Sequence, residues 1–284
     1  MTEQVTTWQR FAEVTIKTND LDPMYEVIYK LNKTKSRKWM GVFLMTFLLY
    51  YDAGQAIRWA DHHEGLNGKY WEALLELNRE FPTVMKRGTE RRHMRGENER
   101  KALEKLASFG LEPWELLMKM DPSPPLVKLS YTDLYNHMTT VFAGTQFGPY
   151  FIWKLYDIFN VCLDMPISMD AHEALKYMPG EPLKVLDYFC EKWNLTRHAA
   201  LGQFWLEVRN YDHPVLPGRK CSYAETETIL CMIKGFFLTK THVIGDDIQE
   251  KFEQLTAYPD IQKLLPSLDN AIYGLNFQRG ELQL

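Results

Sequence analysis

Tyr135 to Tyr177 reads YNHMTTVFAGTQFGPYFIWKLYDIFNVCLDMPISMDAHEALKY, and this stretch decides the fold. Its apolar spacing predicts a helix, a glycine-bearing turn, a second helix, a short loop and a third helix that starts at Asp170. The turn is Phe142-Ala143-Gly144-Thr145-Gln146-Phe147-Gly148-Pro149-Tyr150. Gly144 and Gly148 allow a tight reversal, and Pro149 suits a first helical turn. The first N–H groups of the following helix then point outward, where an anion such as a DNA phosphate suits them. Read alone, the two glycines also fit an ordinary helix–helix turn. Asp170 with Glu173 three residues later has capping-box spacing. A capping aspartate can also face a pocket, so a structural and a catalytic role are compatible.

Outward from this stretch, helical periodicity continues. Tyr25 to Leu31 is expected as a helix begun by Asp22 and Pro23, and Trp39 to Trp59 as one central buried helix. Further helices are expected over Tyr70 to Phe81, Glu97 to Phe109 (ended by Gly110), Thr132 to Val141 (capped by Ser130 or Thr132) and Pro149 to Phe159. The series closes with Met169 to Tyr177, Glu181 to Trp193, His198 to Arg209, Tyr223 to Phe237 and Ile248 to Leu255. No segment alternates apolar and polar residues long enough to make a strand. The fold class expected is all-α. Short Pro- and Gly-bearing links at 122–125, 179–180 and 214–218 carry no flexible tether, so residues 1–284 are read as a single compact helical domain, a body of two lobes.

Composition sets outer limits. The 284 residues are 45% hydrophobic and 25% charged, which excludes wholesale disorder. Lys and Arg number 33 against 37 Asp and Glu, a net charge of −4. That excludes coating nucleic acid by bulk charge but leaves room for a local basic site, since charge acts over about 10 Å. Cys162, Cys190, Cys221 and Cys231 lack metal-site spacing and read as reduced intracellular thiols. The first residues, MTEQVTTWQRF, lack a basic-then-apolar leader. The apolar run Trp39 to Tyr51 is too short to span a bilayer. No membrane partner, metal or cofactor is expected, and His62-His63 is read as an exposed pair.

Two other stretches bear chemistry. Lys86, Arg87, Arg91, Arg92 and Arg95 lie within ten residues, bracketed by Gly88 and Gly96, with Thr89 among them. The guanidinium fork donates two parallel hydrogen bonds to phosphate and keeps its charge. The loop reads as a DNA-backbone contact, a pyrophosphate clamp or a solvated basic loop; it lacks the phosphate-binding GxxxxGK[ST] pattern. Near the C-terminus, Glu225, Glu227, Asp246 and Asp247 read mainly as caps and solvated charge. Glu227 and Asp247 are the candidates for holding a substrate ammonium.

The central stretch resembles the helix-hairpin-helix DNA glycosylase superfamily. Gly148-Pro149-Tyr150 matches the end of that family's Gly-x-Gly hairpin, and Met169-Asp170-Ala171-His172 is similar to its Val-Asp-Thr-His. Asp170 stands 22 residues after Gly148, near the family's catalytic aspartate. The likeness covers about 45 residues and departs at two points. Three residues separate the glycines instead of one, and Tyr150 stands where the bifunctional enzymes carry a Schiff-base lysine. Lyase chemistry is therefore not expected. The resemblance implies Gly144, Gln146, Gly148 and Tyr150 as the DNA-binding hairpin and Asp170 as the catalytic residue.

Over roughly residues 20 to 255 a narrower pattern appears. Asp22-Pro23-Met24-Tyr25, Tyr50-Tyr51-Asp52-Ala53-Gly54-Gln55-Ala56, Gly88-Thr89-Glu90-Arg91-Arg92 with Arg95-Gly96, Phe147-Gly148-Pro149-Tyr150, Asp170 and Glu227 to Cys231 follow in order. This order is similar to the phage α-glutamyl/putrescinyl thymine pyrophosphorylases, or amino acid:DNA transferases. The resemblance implies an enzyme of the host cytoplasm acting on double-stranded DNA after a base kinase. It would displace pyrophosphate from activated 5-hydroxymethyluracil with a free amino acid or polyamine. Arg87, Arg91, Arg92 and Arg95 are then candidates for neutralising the leaving group, and Asp170 for taking the amine's proton. Phe147, Tyr150 and Trp153 are near enough to stack on a flipped base, with core packing the first expectation for Trp153. A monofunctional DNA glycosylase and a non-catalytic DNA-binding protein are the rival readings.

Overall fold

The computed structural model describes residues 7–63, 69–81, 85–86, 96–120, 129–143, 147–165, 167–239 and 246–267. Among them helices dominate, as the periodicity predicts. The chain divides into two units, one formed by residues 1–27, 169–253 and 263–284 and the other by residues 28–168 and 254–262.

In the second unit, α3 (Arg37–Tyr50) is the central element; α1 (Thr7–Thr18) and α2 (Pro23–Asn32) precede it in the chain. Ser36 caps α3 by accepting the Trp39 N–H, and every residue from Trp39 to Tyr50 is buried. Trp39, Phe43, Phe47 and Tyr51 stack in succession down one side, with centroids 5.2, 6.0 and 4.7 Å apart. This spacing of four places rings on one helical face. Each fully buried large apolar side chain stabilises by about 1.5–3 kcal/mol.

The expected single helix from Trp39 to Trp59 is in fact two. Tyr51 turns left-handed at φ 54°, and α4 (Ala53–His63) starts afresh. Asp52 Oδ1 accepts the Gln55 N–H at 2.8 Å, capping the new helix. The unit continues through α5 (Tyr70–Glu80), α6 (Glu97–Ala107) and α7 (Pro113–Met120). Gly41 lets α7 approach closely, because a Cβ there would stand 2.4 Å from the Trp114 nitrogen. Tyr50 donates to the buried Glu99 at 2.8 Å and joins α3 to α6.

The decisive stretch follows. Two-residue strands β1 (Leu129–Ser130) and β2 (Ile167–Ser168) pair in parallel, and between them lie α8 (Tyr131–Val141) and α9 (Pro149–Asp157). Ser130 caps α8 in a full capping box with Asp133. Gly148 is the residue before α9 and Pro149 opens it. α9 does not run on as an α-helix to Phe159; from Ile158 to Cys162 the turns widen to π geometry.

The first unit holds α1 together with α10 (Ala171–Tyr177), α11 (Gly180–Trp193), α12 (Arg197–Val208), α13 (Tyr223–Ile233) and α14 (Asp246–Gln254), which ends at the boundary. The short α15 (Pro259–Gln262) belongs to the second. Trp8 of α1 packs 4.5 Å from Phe204 and 6.0 Å from Trp193, making an aromatic core with Phe189. α13 also ends in a π turn, Lys234–Leu238, where a helix to Phe237 is expected. α1 and α7 were absent from the expected series. Among the described residues no helix is long and apolar enough to cross a membrane.

Candidate functional site around Asp170

Asp170 sits at the start of α10 and caps it. Its Oδ1 accepts the Glu173 N–H at 2.8 Å, and its own N–H donates to Glu173 Oε2 at 3.1 Å. The capping box read from the sequence is therefore present, and the side chain remains exposed to solvent.

The neighbours of Asp170 come from α12 and α13, which pack on α10 within the same unit. Tyr223, the first residue of α13, is within electrostatic reach of Asp170. Burial raises the Tyr223 phenol, the Asp170 carboxylate raises it further, and Arg209 lowers it; the balance is upward. The phenol thus stays protonated at neutral pH and presents a donor beside a carboxylate. The Tyr223 ring stacks on Trp205 with centroids 5.2 Å apart and planes 11° from parallel. Arg209 lies four residues after Trp205 on α12 and lays its guanidinium 4.3 Å over the same indole. Spacing i, i+4 produces that contact directly. Trp205 and Tyr223 are half-buried and Arg209 is exposed.

A buried network fixes the start of α13. Glu225 closes a capping box, its Oε2 accepting the Ser222 N–H at 2.6 Å and the Ser222 hydroxyl at 2.8 Å. Its Oε1 lies 3.3 Å from His213 Nε2. His213 Nδ1 accepts the N–H groups of Val215 and Leu216 at 3.0 and 3.1 Å. An imidazole whose Nδ1 accepts carries its proton on Nε2, so His213 is neutral and donates to Glu225. Burial raises the Glu225 carboxyl, but the hydrogen bonds from His213 and Ser222 outweigh it and hold it at about 2. The loop 209–222 is thereby fastened to α13, with Arg209 at one end and Tyr223 just past the other.

The remaining expected site residues fall as follows. Glu227 is buried, only 3% exposed, on α13 one turn after Tyr223, and so is not solvated charge. Thr228 Oγ1 lies 3.5 Å from its carboxylate. Asp247 is half-buried near the start of α14. Gly148 is exposed, with open space where a Cβ would sit, and Tyr150 is half-buried. Phe147 and Trp153 are buried, Phe147 against Phe142 and Phe151 and Trp153 against Tyr131. Their rings belong to the core and are not available to a base. Arg87, Thr89, Arg91, Arg92, Arg95, Gly144 and Gln146 lie outside the described residues. Of the histidine pair, His62 is exposed, but His63 stacks on Trp59 at 4.3 Å and is half-buried. Among the described residues no cluster of three or more His, Cys, Asp or Glu could hold a metal ion.

Trp205, Arg209 and Tyr223 were missed by sequence reading. The i, i+4 pairing of Trp205 with Arg209 was visible on α12. The approach of Tyr223 was not, because it depends on how the loop 209–222 folds back.

No family model matches the chain. The chain is similar to a putrescinyltransferase of Delftia phage PhiW-14, with 29% identity over 273 residues that cover 92% of this chain and 82% of that protein. It is thus a distant homologue of a phage transferase.

Proposed function

We propose that this protein attaches an amine to a thymine-derived base in phage DNA, displacing pyrophosphate from activated 5-hydroxymethyluracil. The observation that carries the reading is the similarity to a phage putrescinyltransferase along nearly the whole chain. An exposed carboxylate at Asp170, set beside a protonated phenol, fits the chemistry. The bond between the exocyclic methylene and oxygen breaks, and pyrophosphate leaves with the electron pair. The amine nitrogen attacks the methylene, the C–N bond forms, and the nitrogen sheds a proton. Asp170 orients the ammonium and accepts that proton; a positioned base typically contributes about 10²–10⁴-fold. Arg87, Arg91, Arg92 and Arg95 supply the charge that makes pyrophosphate a competent leaving group. The hairpin ending at Gly148 and Tyr150 holds the DNA backbone, as in the helix-hairpin-helix glycosylases it resembles. A separate kinase activates the base beforehand, in the host cytoplasm. Putrescine and amino acids are the amine classes of choice, with Glu227 and Asp247 as residues to hold them.

The test is to incubate the protein with DNA bearing the activated base and an amine, then digest it and weigh the nucleosides. Wild-type protein yields the amine adduct. Asp170→Asn keeps the cap, since asparagine caps as well as aspartate, and it lowers adduct formation at least a hundredfold. Full activity in that variant removes Asp170 from the mechanism. Abasic sites without adduct would replace transfer with glycosylase chemistry.

A further inference from the structure

We propose that Trp205, Tyr223 and Arg209 form a platform that takes an extrahelical nucleobase beside Asp170. The inference deepens the DNA-modifying reading and rests on it for the identity of the polymer.

Two aromatic rings lie nearly parallel at 5.2 Å and remain half-exposed, although aromatic residues elsewhere in this unit are sunk in its core. Trp8, Phe189 and Phe204 show the alternative, packed at tilted and edge-on angles and buried. A parallel, part-exposed pair offers a flat apolar surface whose natural complement is another flat ring. Arg209, laid across the indole, keeps an exposed cation at the edge of that surface. Stacked rings with a guanidinium at their rim match the two parts of a nucleotide, base and phosphate. The adjoining residue of α12, Leu206, is exposed to 55% and extends the apolar rim. Phe147 and Trp153, the aromatic residues nearest the hairpin in sequence, are buried and cannot serve. A base within a duplex is covered on both faces by its neighbours, so the platform requires one that has left the stack.

The experiment uses the full chain and two duplex oligonucleotides. One carries a single bulged 5-iododeoxyuridine and the other the same base fully paired. Irradiation joins the iodinated base to an aromatic ring stacked on it, and peptide mass spectrometry locates the joint. The bulged probe is expected to cross-link to Trp205 or Tyr223, more strongly than the paired one. Trp205→Ala is expected to weaken binding of the bulged probe by roughly fivefold to a hundredfold, the range for one stacked base. Trp205→Tyr keeps a stacking face and restores binding. Cross-links confined to other residues, or Trp205→Ala binding within twofold of wild type, overturn the proposal. Should Trp205→Ala fail to fold, the cross-link position on the wild-type chain decides alone. The readout needs no turnover. Cross-linking at Trp205 without amine adducts would sink the transfer reaction and leave the platform standing; adducts without cross-linking would do the reverse.

Discussion

Glu225→Gln tests whether the network behind Tyr223 holds the site together. In the folded protein the carboxylate accepts three donors: the Ser222 N–H, the Ser222 hydroxyl and His213 Nε2–H. Those bonds hold its pKa at about 2 against an ordinary 4.5. At about 1.36 kcal/mol per pH unit, the depression corresponds to at most about 3 kcal/mol. It is a ceiling, because a neutral His213 contributes a hydrogen bond and not an ion pair. The folded pKa lies below the unfolded one, so this stabilisation is complete above pH 4.5. It drains away as the pH falls towards 2. Glutamine keeps one acceptor oxygen but turns an amide donor towards groups that are themselves donors, which costs about 1–3 kcal/mol. Urea unfolding of wild type and variant, measured at neutral pH and again near pH 3, separates Glu225 from the other carboxylates. The variant is expected to be less stable by about 2–3 kcal/mol at neutral pH, with the gap narrowing on acidification. A gap that stays constant with pH, or none at all, would refute the argument.

Other outcomes follow from the same coordinates. Gly41→Ala should destabilise: the usual helical gain of about 1 kcal/mol is outweighed by about 1–3 kcal/mol of overpacking against the α7 backbone. Gly202→Ala, in α12 with nothing within 4 Å of its added Cβ, should instead stabilise by about 0.5–1 kcal/mol, and urea midpoints check both signs. Ser130→Ala removes the α8 cap and should cost about 1 kcal/mol in the same assay. Lys154 and Asp157, both buried on α9 with Nζ and Oδ2 4.0 Å apart, form a pair whose disruption by Lys154→Met should cost about 3–5 kcal/mol.

The parts that were legible in the sequence were those with a local cause. Ser130 with Asp133 and Asp170 with Glu173 carry their capping boxes within four residues, and both formed. Helix faces at a spacing of 3.6 identified α5, α6, α11 and α12 to within a few residues. The break at Tyr51 was hidden because a tyrosine in the left-handed region is held by its surroundings and bears no signature of its own. Yet Asp52 and Gln55 stand at cap spacing and could have announced a second helix start. The π turns after α9 and α13 have no sequence code at all. Of the candidate site, the carboxylate was readable; the ring pair beside it was not, since Trp205 and Tyr223 meet only through tertiary packing.

The two widened turns have a consequence for chain length. A π turn holds one residue more than the α turn it replaces, without a loop to contain it. Removing a single residue from 158–162 or 234–238 lets the helix close up in ordinary geometry, whereas the same deletion inside α3 would rotate its buried face by about 100°. Homologous chains should therefore differ by one-residue gaps at these two points and hold their length strictly through α3, giving a register mark for aligning relatives too diverged to match by identity.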